Sequence, residues 1–307
     1  MHDLNILTIG TDETIFEKDS ALRQRVQSYG INFTSFHIFC KSDAGRITET
    51  SGRIVIHPLP KFWPFFLLAG FSAGSSLVGG GGRWMISAEN TSLEGVLAFL
   101  LSRRFSVPLQ LQVHTDVFSP WFRRAGWKEY IRFWLAKVFV PRADCIRVVS
   151  RRIAESLYRT KFGTRTELSS VQKVTILPIF TDISDFFNSQ PALATEKRFK
   201  DYNFKMIAVG RFVDKEKNFS MLIDMMRDFT KVCPRALLVL VGDGPDRKNY
   251  ESRIRGQGLE KYVILEGWRD DLQQLYKSFD LYLMSSNYEG WGRAVIEAMA
   301  SCLPVVM

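Results

Sequence analysis

Apolar positions along this chain fall into two repeating forms: short, nearly unbroken runs and runs with helical spacing. Residues 4–9 read as a first strand that Gly10 ends. A polar loop over 11–18 leads to Asp19 and Ser20, either of which can cap a helix carrying Leu22, Val26 and Tyr29. Residues 33–39, 54–57 and 84–88 read as further strands. A helix is predicted over 94–104, where Leu93, Val96, Leu97, Leu100 and Leu101 share a face. Residues 109–113, 143–150 and 174–177 complete the strands of the first half. In the second half, residues 204–209, 236–241, 263–268 and 281–284 are nearly continuous in apolar residues, as parallel strands covered on both faces are. Helices are predicted around Met221 to Met225, over 270–279 and over 293–300, and Pro304-Val305-Val306 opens another strand. Strand and helix in alternation predict an α/β fold with parallel sheets.

Residues 183–203 are polar and lack a strong apolar period, so a domain boundary is predicted there. It divides the chain into a first domain over 1–187 and a second over 200–307. The length of 307 residues, 46% hydrophobic, suits two domains of ordinary size. The run of glycines at 79–82 reads as a flexible linker or the tip of a lid.

Composition removes several classes. Cys40, Cys145, Cys233 and Cys302 are scattered, and four histidines do not cluster. That argues against a zinc site and a disulfide scaffold and suits a reducing cytoplasm. Asp3 and Asn5 interrupt the first apolar residues, so no signal peptide is read. The longest apolar stretch, 62–71, is broken by Pro64 and falls short of the roughly 18 residues that span a bilayer. A cytoplasmic location is expected, with the inner face of the membrane kept open.

Net charge is +9, and it is uneven: residues 1–190 hold 23 Lys and Arg against 16 Asp and Glu, the remainder 18 against 16. A basic first half suggests an anionic partner. Within it, residues 121–134 interleave aromatic and basic side chains. They suit either an interfacial helix on anionic lipid or an ordinary helix whose Trp127, Ile131, Trp134 and Val138 face one core. The second is the expectation carried forward. Single-stranded nucleic acid also selects aromatics and cations, but no RNA-binding motif is present and no nucleic-acid partner is expected.

The chemistry concentrates at 289–306. Glu289-Gly290-Trp291-Gly292 follows the strand at 281–284, with glycines where backbone must turn or approach a ligand. The helix start after it is an anion site, because its free N–H groups and positive dipole end face the loop. Glu289 and Glu297 bracket the turn. Carboxylates beside hydroxyls accept charge-assisted hydrogen bonds, so the pattern suits a ligand with a diphosphate in the middle and hydroxyl-rich groups at both ends: a nucleotide sugar. Either glutamate alone would read as a solvated surface residue.

This run, with Ala298-Met299-Ala300 and Pro304-Val305-Val306, resembles the E-x7-E signature of GT-B glycosyltransferases of family GT4, the retaining group 1 enzymes. The resemblance implies two Rossmann-like domains facing a cleft, the first binding the acceptor and the second the donor. It implies that Glu289 lies by the donor sugar and Glu297 holds the ribose, with Gly290, Trp291 and Gly292 forming the turn against the donor. Arg211 and Lys217, after the strand at 204–209, would hold the diphosphate, where fixed cations stabilise the developing charge. Gly242-Asp243-Gly244-Pro245 matches a G-x-G-P turn, so Gly244 would admit the nucleotide. His114, at the carboxyl end of the strand at 109–113, would contact the donor sugar. No Asp-x-Asp stands in a suitable loop, which fits a site that needs no metal; no cofactor is expected beyond the nucleotide sugar as co-substrate.

Three departures stand out. Asp19 occupies a place where a glycine would be expected, Ile179-Phe180 replace a customary Asn-Gly, and there is no G-x-G-x-x-G, which counts against a dehydrogenase. The family continues past the strand at Met307, so the second domain is expected to be incomplete and the chain unstable or inactive alone. The implied activity is transfer from a UDP- or GDP-sugar to a glycan, lipid-linked or small-molecule acceptor with retention, in envelope or polysaccharide synthesis. A phosphorylase or epimerase, and a binding module without turnover, stay open as alternatives.

Overall fold

The computed structural model describes residues 3–159 and 173–307. The chain forms two compact units, Met1–Pro178 and Ile179–Met307. The first is built on β1 (Asn5–Gly10), β2 (Ser35–Ser42), β3 (Glu49–Ser51), β4 (Ile54–Pro60), β5 (Trp84–Ala88), β6 (Leu109–Val113), β7 (Cys145–Val148) and β8 (Lys173–Ile176). These lie in the order β3-β4-β2-β1-β5-β6-β7-β8. All neighbours are parallel except the short hairpin strand β3, which sequence patterning did not reveal. Strand order reverses beside β1, which makes the carboxyl ends of β1 and β5 the topological switch point where ligands bind in such sheets.

Alternation along each strand feeds two apolar layers. Ile6, Phe36, Ile38, Ile54 and Ile56 face Val26 of the helix Ala21–Gly30. That helix starts where Ser20 Oγ accepts from Arg23 N at 3.1 Å, so Ser20 rather than Asp19 is its cap. Elsewhere in the unit, the helix Trp63–Gly79 packs on the helix Leu93–Phe105 through Gly70 and Gly74. A Cβ at either would stand 2.4 Å or 2.5 Å from a methyl of Leu97 or Leu101, so any larger residue would force those leucines to shift.

The second unit holds β9 (Phe204–Val209), β10 (Ala236–Val241), β11 (Val263–Glu266), β12 (Leu281–Leu283) and β13 (Val305–Val306), all parallel, in the order β11-β10-β9-β12-β13. Every residue of β10 is buried. Leu238 and Leu240 pack with Leu222, Ile223 and Met226 of the helix Phe219–Val232, while Leu237 and Val239 pack with Tyr276, Tyr282 and Leu303 on the other face. Each such burial contributes roughly 1.5–3 kcal/mol, which is why the unbroken apolar run signals this strand so clearly.

Three expectations change. The polar stretch at 183–203 carries two short helices, Ser184–Asn188 and Leu193–Arg198, and Phe186 and Phe199 join the second unit's core. The glycines at 79–82 are neither linker nor lid tip: Gly79 ends the helix Trp63–Gly79, Gly81 and Gly82 turn with φ near +90°, and Trp84 Nε1 donates to Gly81 O at 3.0 Å. The stretch at 121–134 is two helices, Pro120–Arg124 and Trp127–Phe139, and Trp127, Ile131, Trp134 and Val138 face solvent rather than a core. Among the described residues no helix is long and apolar enough to cross a membrane.

Candidate functional site

In the second unit the strand order reverses between β9 and β12, and a cavity of about 470 Å³ opens at their carboxyl ends. Arg211, Lys217, Glu289, Gly292 and Glu297 all line it, together with Gly242 at the end of β10. The structure thus brings five of the sequence-predicted residues to one place.

The loop after β9 is held on several sides. Phe212 N donates to Asp243 O at 2.9 Å and Asp246 N to Phe212 O at 3.1 Å. Asp214 accepts from Tyr250 Oη at 3.1 Å and from Ser220 N at 2.9 Å. Gly242, at φ +136°, leaves no room for a side chain: a Cβ would stand 2.1 Å from Gly210 O. Gly210 in turn lets the aliphatic chain of Lys217 lie across the strand end, 3.2 Å from where a Cβ would be. Lys217 Nζ pairs with Glu289 Oε1, which also accepts from Ser286 Oγ at 3.3 Å. Ser285 Oγ donates to Lys217 O at 2.7 Å, tying β12's exit loop to the cation. Arg211 is exposed at the cavity wall and, among the described residues, has no carboxylate partner.

Gly292 takes the left-handed conformation at φ +70° and caps the helix Arg293–Ala300, whose first turn faces the cavity. Glu297 is 5% exposed. Burial raises its carboxyl above the ordinary range, and the Arg293 guanidinium, donating from Nε at 2.6 Å, opposes that shift. Such a carboxylate on the cavity wall can accept hydrogen bonds from hydroxyls while its charge stays compensated.

The remaining predicted residues lie elsewhere. Gly244 packs against the backbone of Phe212, where a Cβ would meet Phe212 O at 2.5 Å, and is outside the cavity lining. Gly290 and Trp291 are outside the cavity lining; the Trp291 indole nitrogen is buried without a hydrogen-bond partner among the described residues. His114 belongs to the first unit. Its Nε2 lies 3.3 Å from Gln112 Oε1, which also accepts from Arg147. Burial, then the Arg147 charge, lower its pKa to about 4, so the imidazole is neutral near pH 7.

Sequence patterning missed other side chains. Trp268 and Arg269 line the cavity after β11; the indole N–H of Trp268 donates to Asp270 at 2.8 Å and Arg269 pairs with Asp271. In the first unit, Glu89 follows β5 directly at the switch point, within 3.4 Å of Thr11 N, and Gly10 lies flush against its carboxyl. Burial, with Asp12 and Glu94 nearby, holds that carboxyl above its ordinary range against the Thr11 hydrogen bond. The available signal was position: a carboxylate immediately after a strand beside the order reversal.

Residues 190–307 match the family described as glycosyl transferases group 1. The lipopolysaccharide core biosynthesis glycosyltransferase LpsE of Rhizobium meliloti is 33% identical over 101 residues, 33% of this chain and 28% of that protein. The sulfoquinovosyl transferase SQD2 of Arabidopsis thaliana is 29% identical over 229 residues, 71% of this chain and 41% of that protein. The chain therefore spans less than half the length of these curated relatives. Among solved structures, sucrose-phosphate synthase from Thermosynechococcus elongatus superposes with a TM-score of 0.70 at 21% identity, over 98% of this chain and 80% of that one. Anabaena Alr3699/HepE in complex with UDP gives 0.67 at 20% identity, over 98% and 79%. At these identities the likeness is one of fold.

Proposed function

We propose that this chain, whose fold is GT-B and whose residues 190–307 match the group 1 glycosyltransferases, is a sugar transferase that uses a nucleotide-sugar donor, a UDP- or GDP-sugar. The observation that carries the reading is the meeting of Arg211, Lys217, Glu289 and Glu297 in one cavity at the second unit's switch point. Arg211 and Lys217, with the N-terminus of the helix Arg293–Ala300, hold the diphosphate. Glu297 takes the ribose hydroxyls, Trp268 flanks the base, and Glu289 contacts the donor sugar. Binding of UDP by Anabaena Alr3699/HepE supports the donor class.

The reaction proceeds with retention. The bond from the anomeric carbon to the diphosphate oxygen breaks, the acceptor oxygen bonds to that carbon on the same face, and the acceptor proton passes to the leaving phosphate. The two cations and the helix dipole stabilise the charge that develops on the diphosphate, which makes a divalent metal unnecessary. The acceptor is a glycan or lipid-linked phosphate met at the anionic inner face of a membrane, which suits the basic first half of the chain, and Glu89 binds one of its hydroxyls.

The test is a screen of UDP- and GDP-sugars with EDTA present, following release of the nucleotide and the anomeric configuration of the product. Turnover of one donor, reduced about 10²–10³-fold by Arg211→Ala, is expected. Failure of every nucleotide sugar to bind would remove the reading.

A further inference from the structure

In the helix Trp127–Phe139, Phe133, Ala136 and Phe139 turn inward. Phe139 meets Phe99 of the helix Leu93–Phe105 at 5.1 Å between ring centroids. The opposite stripe is also apolar. Trp127, Tyr130, Ile131, Trp134 and Val138 recur at three- and four-residue spacing and are 43% to 70% exposed. Side chains of this size gain from burial, and a contiguous exposed stripe of them marks a surface with a partner.

The charges around the stripe identify that partner. Arg123, Arg124, Lys128 and Lys137 flank it, and Glu129 is the one acidic residue in the sequence from 120 to 139. The cations ride beside the rings: Lys128 Nζ is 5.7 Å from the Trp127 ring and Lys137 Nζ 4.7 Å from that of Trp134. Aromatic bodies with cationic heads at their margins match the boundary between acyl chains and anionic headgroups. A second apolar tip occurs at the start of the helix Trp63–Gly79, where Phe62, Trp63, Phe65 and Leu68 are exposed. Both helices pack on the helix Leu93–Phe105, and both follow strands whose carboxyl ends lie at the same edge of the sheet.

We propose that the exposed stripe of the helix Trp127–Phe139, with its flanking arginines and lysines, docks on an anionic lipid bilayer. This deepens the membrane-side reading of the acceptor, yet it stands apart from the transfer reaction, since docking needs neither donor nor turnover.

The experiment is sedimentation of the 307-residue chain with vesicles of phosphatidylcholine alone and of an equimolar mixture with phosphatidylglycerol, at low and high salt. Each cation near an anionic surface is worth about a factor of five in partition, the equivalent of about 1 kcal/mol. The chain is expected to bind the mixed vesicles at least tenfold more tightly and to lose that preference in high salt. Arg124→Glu with Lys128→Glu, both at exposed positions, should weaken binding at least 20-fold, and Trp127→Ser with Trp134→Ser about tenfold, each with an unchanged thermal melt. If the aromatic variant fails to fold, the charge variant alone decides. Equal sedimentation with both vesicle types, or none with either, overturns the proposal. So does a concentration-dependent dimer that these substitutions abolish, which would assign the stripe to a second copy of the chain.

Discussion

Lys217 and Glu289 stand 72 residues apart in sequence and form one ion pair at the carboxyl edge of the second sheet. The pair joins the helical turn after β9 to the loop after β12, the two strands that flank the order reversal. A cation suited to phosphate and a carboxylate suited to sugar hydroxyls are therefore held against each other before any ligand arrives.

Breaking that pair separates the two roles. Lys217→Ala should lower kcat about 10²–10³-fold, as loss of a group that stabilises developing charge does. Glu289→Gln, which keeps the shape and removes the charge, should lower turnover while leaving the donor dissociation constant within a few-fold. Steady-state kinetics beside a direct titration with UDP would check both.

Glu297 should behave differently. A hydrogen bond to a charged group contributes about 1.5–3 kcal/mol, and its ribose contact would be the same in ground and transition states. Glu297→Gln should raise KM for the donor roughly tenfold or more with kcat little changed. An equal fall in kcat would place Glu297 in the chemical step instead.

Two glycines make a stability contrast. Gly242→Ala puts a Cβ 2.1 Å from Gly210 O at a φ of +136°, where strain alone costs about 1–3 kcal/mol, so unfolding at room temperature or a loss of at least 3 kcal/mol or so is expected. Gly256, the last residue of the helix Arg247–Gly256, meets no atom within 4 Å and has no positive φ. Gly256→Ala should stabilise by up to about 1 kcal/mol. Chemical denaturation of the two variants measures both shifts.

Stability should also fall in mild acid. Burial lowers the pKa of His57 and His114 from 6.5 to about 4, with His37 beside the first and Arg147 beside the second adding to the effect. Between those values the unfolded chain takes up protons that the folded chain refuses, so stability declines as pH drops from about 6.5 toward 4 and is regained on return. His37 Nδ1 and His57 Nε2 are 3.0 Å apart, a contact that tolerates a single proton. His114→Gln should flatten part of the decline in denaturation midpoints measured across this window.

Much of the second unit was legible because its signals are local. Ala236–Val241 is apolar at all six positions and buried at all six, and Gly292 followed by helix-forming residues marks the turn it makes. Short elements escaped: β3 has three residues and packs by hairpin pairing, which leaves almost no period to read. Helices Ser184–Asn188 and Leu193–Arg198 escaped because a single aromatic, partly buried Phe186 in the first and buried Phe199 just after the second, anchors each in a polar stretch.

The stretch at 121–134 shows the limit more sharply. In its second helix, Trp127–Phe139, the apolar residues occupy two stripes, Phe133, Ala136 and Phe139 on one and Trp127, Ile131 and Trp134 on the other. Either could serve as the core face. Packing decides it: Phe139 meets Phe99 at 5.1 Å between ring centroids, on a helix that sequence alone does not align with this one.

By itself the sequence determined the alternation of strand and helix and the residue types at the turn 289–292, because each depends on contacts within a few residues. Only the tertiary structure decided which side chains meet. Strand order sets the two switch points, and it arises from pairing between strands far apart in the chain. That pairing brought Lys217 to Glu289 and set Glu89 beside Gly10, and packing of the helices on the sheets buried Glu297 and left Trp127 and Trp134 facing outward.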